Sequence, residues 1–344
     1  MNVKLLSLVA LLLAGQEPKV TNGRVETLTP ATGLEAALRQ ARAQASGPVW
    51  VGYSVPMVTG MGRVCCYSHD WKDSTCLLEG KNNGWGSNRD NPRSEQPLQV
   101  LVRFAGGAVS EVRGLSADCP LDAGGRRFVW LGEVKPEESV AYLADLIRAG
   151  KDGHGEPTEE AFSTLALHRS DRADAVLEEL ASPRFSAKKR EQALFWMGQT
   201  RGERGARFLA GVIRDGKDDA VREKAIFSLS QSSVPWAAET ITRTAQEDRS
   251  PHIRGQALFW LAQMDATGAP GAILAAAEKD PEPEVRKQAV FALSQLRGGK
   301  AVSSLLRVAR ESRDPGLRKE AIFWLAQSKD PEALAYLDKV LNDD

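Results

Sequence analysis

The chain has 344 residues, 45 basic and 45 acidic side chains, 42% hydrophobic content and 26% charged residues. That balance excludes a disordered, charged tail protein, and zero net charge argues against a surface built to neutralise nucleic-acid phosphates. The length leaves room for two domains with buried cores.

Lys4, the apolar run Leu5 to Ala14 and the small-residue zone Ala14-Gly15-Gln16 have the layout of an export signal. Residues 1–15 are therefore expected to be removed, leaving a soluble periplasmic or extracellular protein. The run falls short of the ~20 residues that span a bilayer, and no later run reaches that length. No membrane span is expected.

Residues 24–134 read as a small β-rich domain. A short helix over Leu34 to Ala45 comes first. Val49, Val51, Tyr53 and Val55 then alternate with Trp50, Gly52 and Ser54, the period of a half-buried strand. Leu98 to Phe104 and Ala108 to Leu115 flank Gly106-Gly107 as a hairpin, and Phe128 to Leu131 is a further strand. Between them lies a polar loop, Glu79 to Gln96, rich in Asn, Gly and Pro.

All four cysteines, Cys65, Cys66, Cys76 and Cys119, fall in this region. In an exported chain an even, clustered set predicts two disulfides. A bond between neighbouring Cys65 and Cys66 is strained, so the pairs are 65–76 with 66–119, or 65–119 with 66–76. A metal site from Cys65, Cys66, His69 and Cys76 lacks the paired C-x2-C spacing of structural zinc, so no metal is expected.

From residue 135 to 344 the grammar changes to an internal repeat. Ala193, Ala225, Ala257, Ala289 and Ala321 recur every 32 residues without a gap, in ALFWMGQ, AIFSLSQ, ALFWLAQ, AVFALSQ and AIFWLAQ. Ala161 extends the series backwards. Arg stands three residues before each of the five (Arg190, Arg222, Arg254, Arg286, Arg318), and Val221, Ile253, Val285 and Leu317 stand four before, with Lys189 the exception. Pro251, Pro283 and Pro315 mark helix starts, and Ser186, Asp218, Ser250 and Asp314 are cap-type residues. The other half of each unit is amphipathic too, as in Phe208, Leu209, Val212 and Ile213, or Val302, Leu305, Leu306 and Ala309. Two such helices cannot bury their apolar faces alone, so the units must stack into a solenoid. The fold class is α+β overall: the small β-rich domain, then an all-α solenoid.

The pattern D/S-P-x-[VIL]-R-x-x-A-[LIV]-x-x-L resembles the short bacterial HEAT-like repeat, the type first associated with phycobilin lyases. The resemblance covers about residues 137–341 and implies an α-solenoid presenting a protein-binding surface; residues 24–134 resemble no known family. One HEAT-like family is an iron hydroxylase with His-Glu ligand pairs. Here His154, His168 and His252 are each followed by another residue, so that activity is not implied. His168 and His252 read as surface residues.

At about 100° per residue around the second helix, with the Ala at zero, the residues at minus four and plus four flank it and the Arg lies at the stripe edge. Phe195, Phe227, Phe259, Phe291 and Phe323 fall at about 200°, and Gln199, Gln231, Gln263, Gln295 and Gln327 at about 240°, opposite the core stripe. The resemblance places both rows on the concave face. They form either a groove for an extended peptide or partner helix, or a stacking ladder between units with the amides stitching neighbours together. The position three after the Ala alternates Trp196, Ser228, Trp260, Ala292, Trp324, which reads as volume compensation at the core edge. The arginine row is expected to pair with the turn carboxylates Asp218, Asp248, Asp280 and Asp314.

No H-E-x-x-H, G-x-S-x-G, P-loop or strand-linked G-x-G-x-x-G occurs, and Asp70 with His69 and Trp71 is the one acid–base cluster in the β-rich part. The expectation is an exported, non-catalytic scaffold without cofactor, binding a protein or peptide through the solenoid. The competing reading is an enzyme or chromophore-modifying lyase that uses the β-rich domain. Oligomeric state is not legible here.

Overall fold

A computed structural model describes residues 17–66, 75–80, 85–88 (backbone only), 96–152 and 157–342. The leader stretch, His69, Asp70, Trp71, His154 and most of the polar loop lie outside the described residues. Two compact units divide between Val176 and Leu177.

The first unit is built on strands β1 (Val20–Thr21), β2 (Arg24–Thr27), β3 (Val49–Val55), β4 (Arg63–Cys66), β5 (Cys76–Leu77), β6 (Trp85–Asn88), β7 (Leu98–Ala105), β8 (Ala108–Ser116), β9 (Leu121–Asp122) and β10 (Arg127–Glu133). Its main sheet has the order β2-β10-β3-β7-β8. β10 runs parallel to both β2 and β3, whereas β3, β7 and β8 are antiparallel neighbours. The β7–β8 hairpin turns on Gly106 and Gly107, both at positive φ, as a two-residue turn matched to strand twist requires. β1, β9 and β5 form a small parallel sheet, and β4 pairs with β6.

All seven residues of β3 are buried, because both faces of the main sheet are covered. The half-buried strand expected from alternation is therefore a central one. Val49, Val51, Tyr53 and Val55 pack with Leu34 and Leu38 of helix α1 (Leu34–Ala43); Trp50 packs on the other side with Leu101, Phe128 and the four cysteines. Helices α2 (Pro136–Ala149) and α3 (Pro157–Ala166) follow, and Leu167 joins the α1 core cluster. Gly114 of β8 shows how closely α3 approaches: a Cβ there would lie 3.1 Å from the Thr164 Cα. The first compact unit thus runs past residue 134, since the sheet needs these helices to bury its face.

Helix α4 (Asp171–Leu180) leads into the repeats. The second helices of the units are α5 (Ala187–Thr200), α7 (Asp219–Ser230), α9 (Pro251–Gln263), α11 (Pro283–Ser294) and α13 (Pro315–Ser328); between and after them come α6 (Gly202–Asp215), α8 (Ala237–Glu247), α10 (Ala269–Lys279), α12 (Lys300–Glu311) and α14 (Pro331–Asn342). Four of the five second helices are capped by the expected residues, Ser186, Asp218, Ser250 and Asp314, each accepting a first-turn backbone N–H. In the fourth unit Glu282 stands at the cap without a side-chain bond, and the Glu282 N–H goes to Asp280 instead. The repeated Ala and the Leu or Met four residues on are buried in every unit, and the apolar residue after the Ala is buried in all but the last, where Ile322 is half-buried. This is the solenoid expected from the repeat.

Candidate functional site

The five Phe side chains fall on one face and touch one another through the tryptophans. Phe195 stacks on Phe227 with centroids 6.3 Å apart and planes 15° apart. Phe227 meets Trp260 at 4.7 Å, and Trp260 meets its own neighbour Phe259 at 5.0 Å. The pattern then repeats: Phe259 stacks on Phe291 at 6.0 Å and 3°, Phe291 meets Trp324 at 5.2 Å, and Trp324 meets Phe323 at 5.1 Å. Trp196 abuts Phe195 at the start. Eight rings make one unbroken row across five units, in offset and edge-on geometries favourable to aromatic pairs.

Phe195, Phe227, Phe259 and Phe291 are half-buried and Phe323 is exposed. Phe227, Phe259 and Phe291 each contact a ring on two sides and still keep part of their surface open to solvent. Trp196, Trp260 and Trp324 are half-buried members of the same row rather than core-edge fillers. Only their small counterparts, Ser228 and Ala292, are fully buried. The alternation is thus real volume compensation, but it operates within the row: where one unit supplies Phe and Trp, the next supplies Phe alone.

The Gln row sits at the C-terminal ends of the same helices. Gln231 Nε2 donates to Ser230 Oγ at 3.1 Å, and Gln295 Nε2 to Ser294 Oγ at 2.9 Å. Each serine in turn donates to the carbonyl of its own ladder residue, Phe227 or Phe291, at 2.7 Å. These bonds stay inside one unit, so these two amides do not stitch neighbours together. Gln199 and Gln263 are half-buried, while Gln231 and Gln327 are exposed.

The arginine row turns away from this face and pairs as expected. Arg254 binds both oxygens of Asp280 at 2.8 Å, Arg222 reaches Asp248 and Asp219, Arg190 reaches Asp218 at 3.4 Å, and Arg286 lies 3.7 Å from Asp314. The guanidinium also serves the backbone: Arg254, Arg286 and Arg318 each donate to the carbonyl six residues earlier. Arg222 and Arg254 are buried and paired, so these two are closed to an anionic partner.

In the first unit, Cys65 bonds to Cys119 and Cys66 to Cys76, which decides between the two expected pairings. Sulfurs of Cys65, Cys76 and Cys119 lie within 4.8 Å of one another, but each is held in a disulfide and is not a thiolate ligand in this state. Glu79, expected in the polar loop, is a clasp. It accepts from Arg103 at 2.7 and 2.9 Å, from Arg126 at 3.2 Å and from Trp50 Nε1 at 2.9 Å. The Arg103 bonds hold its carboxyl down at about 2, against the smaller opposing effect of burial.

His168 is fully buried, not on the surface as its sequence context suggests. Its Nδ1 donates to the Thr164 carbonyl at 2.8 Å, since a carbonyl only accepts. In the neutral ring Nε2 then accepts from the Ser139 hydroxyl at 2.8 Å, and Tyr53 donates to that same oxygen at 2.9 Å. Burial pushes the Tyr53 phenol far up, so it stays a donor. Tyr53, Ser139 and His168 are all buried, so the three form a chain of hydrogen bonds inside the first unit. His252 is exposed and bonds Glu223 at 3.0 Å.

Residues 269–344 match the family model for HEAT repeats. The 32-residue units before residue 269 keep the same spacing as the matched ones. The match stops short of the β-rich part, which remains without a family, and no curated protein matches the chain. Solved structures similar to this chain include human deoxyhypusine hydroxylase in complex with glycerol, at 18% identity over 60% of this chain and 79% of that one, with a TM-score of 0.32. The complex of CpcE and CpcF of phycocyanin lyase from Nostoc is 18% identical over 45% of this chain and 99% of that one, with a TM-score of 0.35. The Escherichia coli protein YibA is 21% identical over 59% and 75%, with a TM-score of 0.38. No described helix is long and apolar enough to cross a membrane.

Proposed function

We propose that the protein is exported and acts as a non-catalytic scaffold, its HEAT-like array holding an extended peptide or helix of a partner protein along the Phe and Gln rows. The observation that carries this reading is the unbroken row of eight half-open rings across five units, flanked by amides that can pair with a peptide backbone. HEAT repeats are protein-interaction solenoids in general, and two disulfides suit an oxidising compartment.

The test is a pull-down from periplasmic extract with the wild type and with Phe259→Ala/Phe291→Ala. Half-buried rings should cost well under the ~3–5 kcal/mol of a core Phe each, leaving the array folded. Loss of a specific co-purifying protein with helical content and melting preserved is the expected result. Unfolding of the double variant would mean that the rings serve packing alone, and equal capture by both proteins would place the partner elsewhere. Metal and cofactor analysis of the purified protein tests the non-catalytic part: a stoichiometric bound group would overturn it.

A further inference from the structure

Helices α1, α2 and α3 and strand β8 of the first unit border a cleft of about 430 Å³, within the ~300–1,000 Å³ typical of small-molecule sites. Val109 of β8, Leu146 of α2 and Pro157 of α3 give it apolar walls. Val109 and Tyr142 also pack against the α1 core cluster, so this wall is in place before any ligand arrives. Two charged side chains line the cleft, and both are acidic: Glu35 from α1 and Asp145 from α2. Arg39 and Arg148 bond these carboxylates at 3.1 and 2.9 Å but do not line it. Both pairs are exposed, so their Coulomb attraction is weak and a ligand cation displaces it at little cost.

Two hydroxyls on the cleft have nothing to bond. Thr158 is only 8% exposed, yet its Oγ1 has no hydrogen-bond partner among the described residues, and neither has the Tyr142 hydroxyl. Polar groups so far from bulk water normally find a partner in the protein, so these two point to one that comes from outside. Burial and the Glu35 charge raise the Tyr142 pKa against a weaker pull from Arg42, which keeps the phenol protonated. The helix ends favour the same sign of ligand. α2 ends at this cleft, and a helix C-terminus attracts a cation; α3 begins there with Pro157, which has no N–H to offer an anion.

We propose that this cleft binds a small organic amine in its cationic form, its apolar body between Val109, Leu146 and Pro157 and its ammonium group held by the Glu35 and Asp145 carboxylates. The Thr158 and Tyr142 hydroxyls are left for the remaining polar hydrogens of the ligand. An anionic ligand would meet two like charges, and a wholly apolar one would desolvate both carboxylates and both hydroxyls without replacing their bonds.

Titration calorimetry on the full chain tests this with three probes that share one ring system: tryptamine as the cation, tryptophol as the neutral analogue and indole-3-propionate as the anion. Tryptamine should bind at least ~10-fold more tightly than tryptophol, and indole-3-propionate most weakly of all. In Glu35→Gln/Asp145→Asn, whose replaced side chains are exposed, tryptamine should fall to the affinity of tryptophol while tryptophol itself is unchanged. Hydrogen exchange supplies the location: tryptamine should add protection in α1, α2 and α3. No tryptamine binding at millimolar concentration, equal affinities for the three probes, or a preference for tryptamine that survives in the double variant overturns the proposal. Protection confined to the repeats overturns it too, since the probe would then be stacking on the aromatic row. The groove reading stands apart from these outcomes, because its rings lie in the second unit and the double variant leaves them intact.

Discussion

Arg254 and Asp280 are both almost fully buried and bind each other through two bonds of 2.8 Å. Burial raises the Asp280 carboxyl, but Arg254 and the Glu282 N–H outweigh it and its pKa is lowered. Removing one partner leaves a charge in a dry site, so Arg254→Met should cost on the order of 3 kcal/mol by urea denaturation, and pairing it with Asp280→Asn should recover part of that loss. Glu79 gives a pH dependence. Its folded pKa, about 2, lies below the ordinary 4.5, so the unfolded chain binds the proton more readily. The stability it contributes, up to about 3 kcal/mol, is complete above about pH 5 and fades as pH falls toward 2. Glu79→Gln should therefore flatten the stability profile across that window; an unchanged slope would show that the clasp is not formed. The arginine pairs were legible because the carboxylates repeat with the helices. The environments of Glu79 and His168 were not, since their partners Arg103, Trp50, Ser139 and Tyr53 come from segments that only the tertiary fold brings together.

Helices α5 and α7 come unusually close at Gly198, where a Cβ would lie 2.4 Å from the Ser228 carbonyl oxygen. The equivalent positions in other units are Ser230, Ala262, Ser294 and Ala326, so only this helix pair depends on the missing methyl. In an isolated helix Gly→Ala gains about 1 kcal/mol. Here the obstacle is a backbone atom that no rotamer change can move, and forcing the helices apart costs typically 1–3 kcal/mol. Gly198→Ala should therefore lower the denaturation midpoint, whereas Gly211→Ala, with open space around its Cβ, should raise it. At this scale the sequence was informative about helices and poor about sheets. A 32-residue period fixes where each second helix starts and which side it buries. Strand alternation located β3, β7, β8 and β10, yet nothing local says that β10 lies between β2 and β3, because a parallel neighbour leaves no turn signature between the strands it joins.

Across the whole array the structural period is two units rather than one. Units centred on Ala193, Ala257 and Ala321 carry Trp beside the ladder Phe, while those on Ala225 and Ala289 carry Ser228 or Ala292 buried beneath it. A helical wheel treats each unit alone and assigns Trp to the core edge, so it misses that Trp260 and Trp324 each pack on the ladder Phe of the preceding unit, the one that carries the small Ser228 or Ala292. In a one-dimensional array each added unit should contribute similar intrinsic and interface terms. Alternation breaks that rule. Duplicating residues 257–320 inserts two units and keeps every Trp unit next to a small-residue unit. Duplicating residues 257–288 inserts one, setting Trp260 of one copy against Trp260 of the next where Ser228 or Ala292 would fit. The crowding should cost about 1–3 kcal/mol at that junction. The two-unit insertion should raise the denaturant midpoint, and the one-unit insertion should gain less than half as much. Equal gains per unit would mean that the alternation has no role in stacking, and that the continuity of the aromatic row is incidental to how the array is held together.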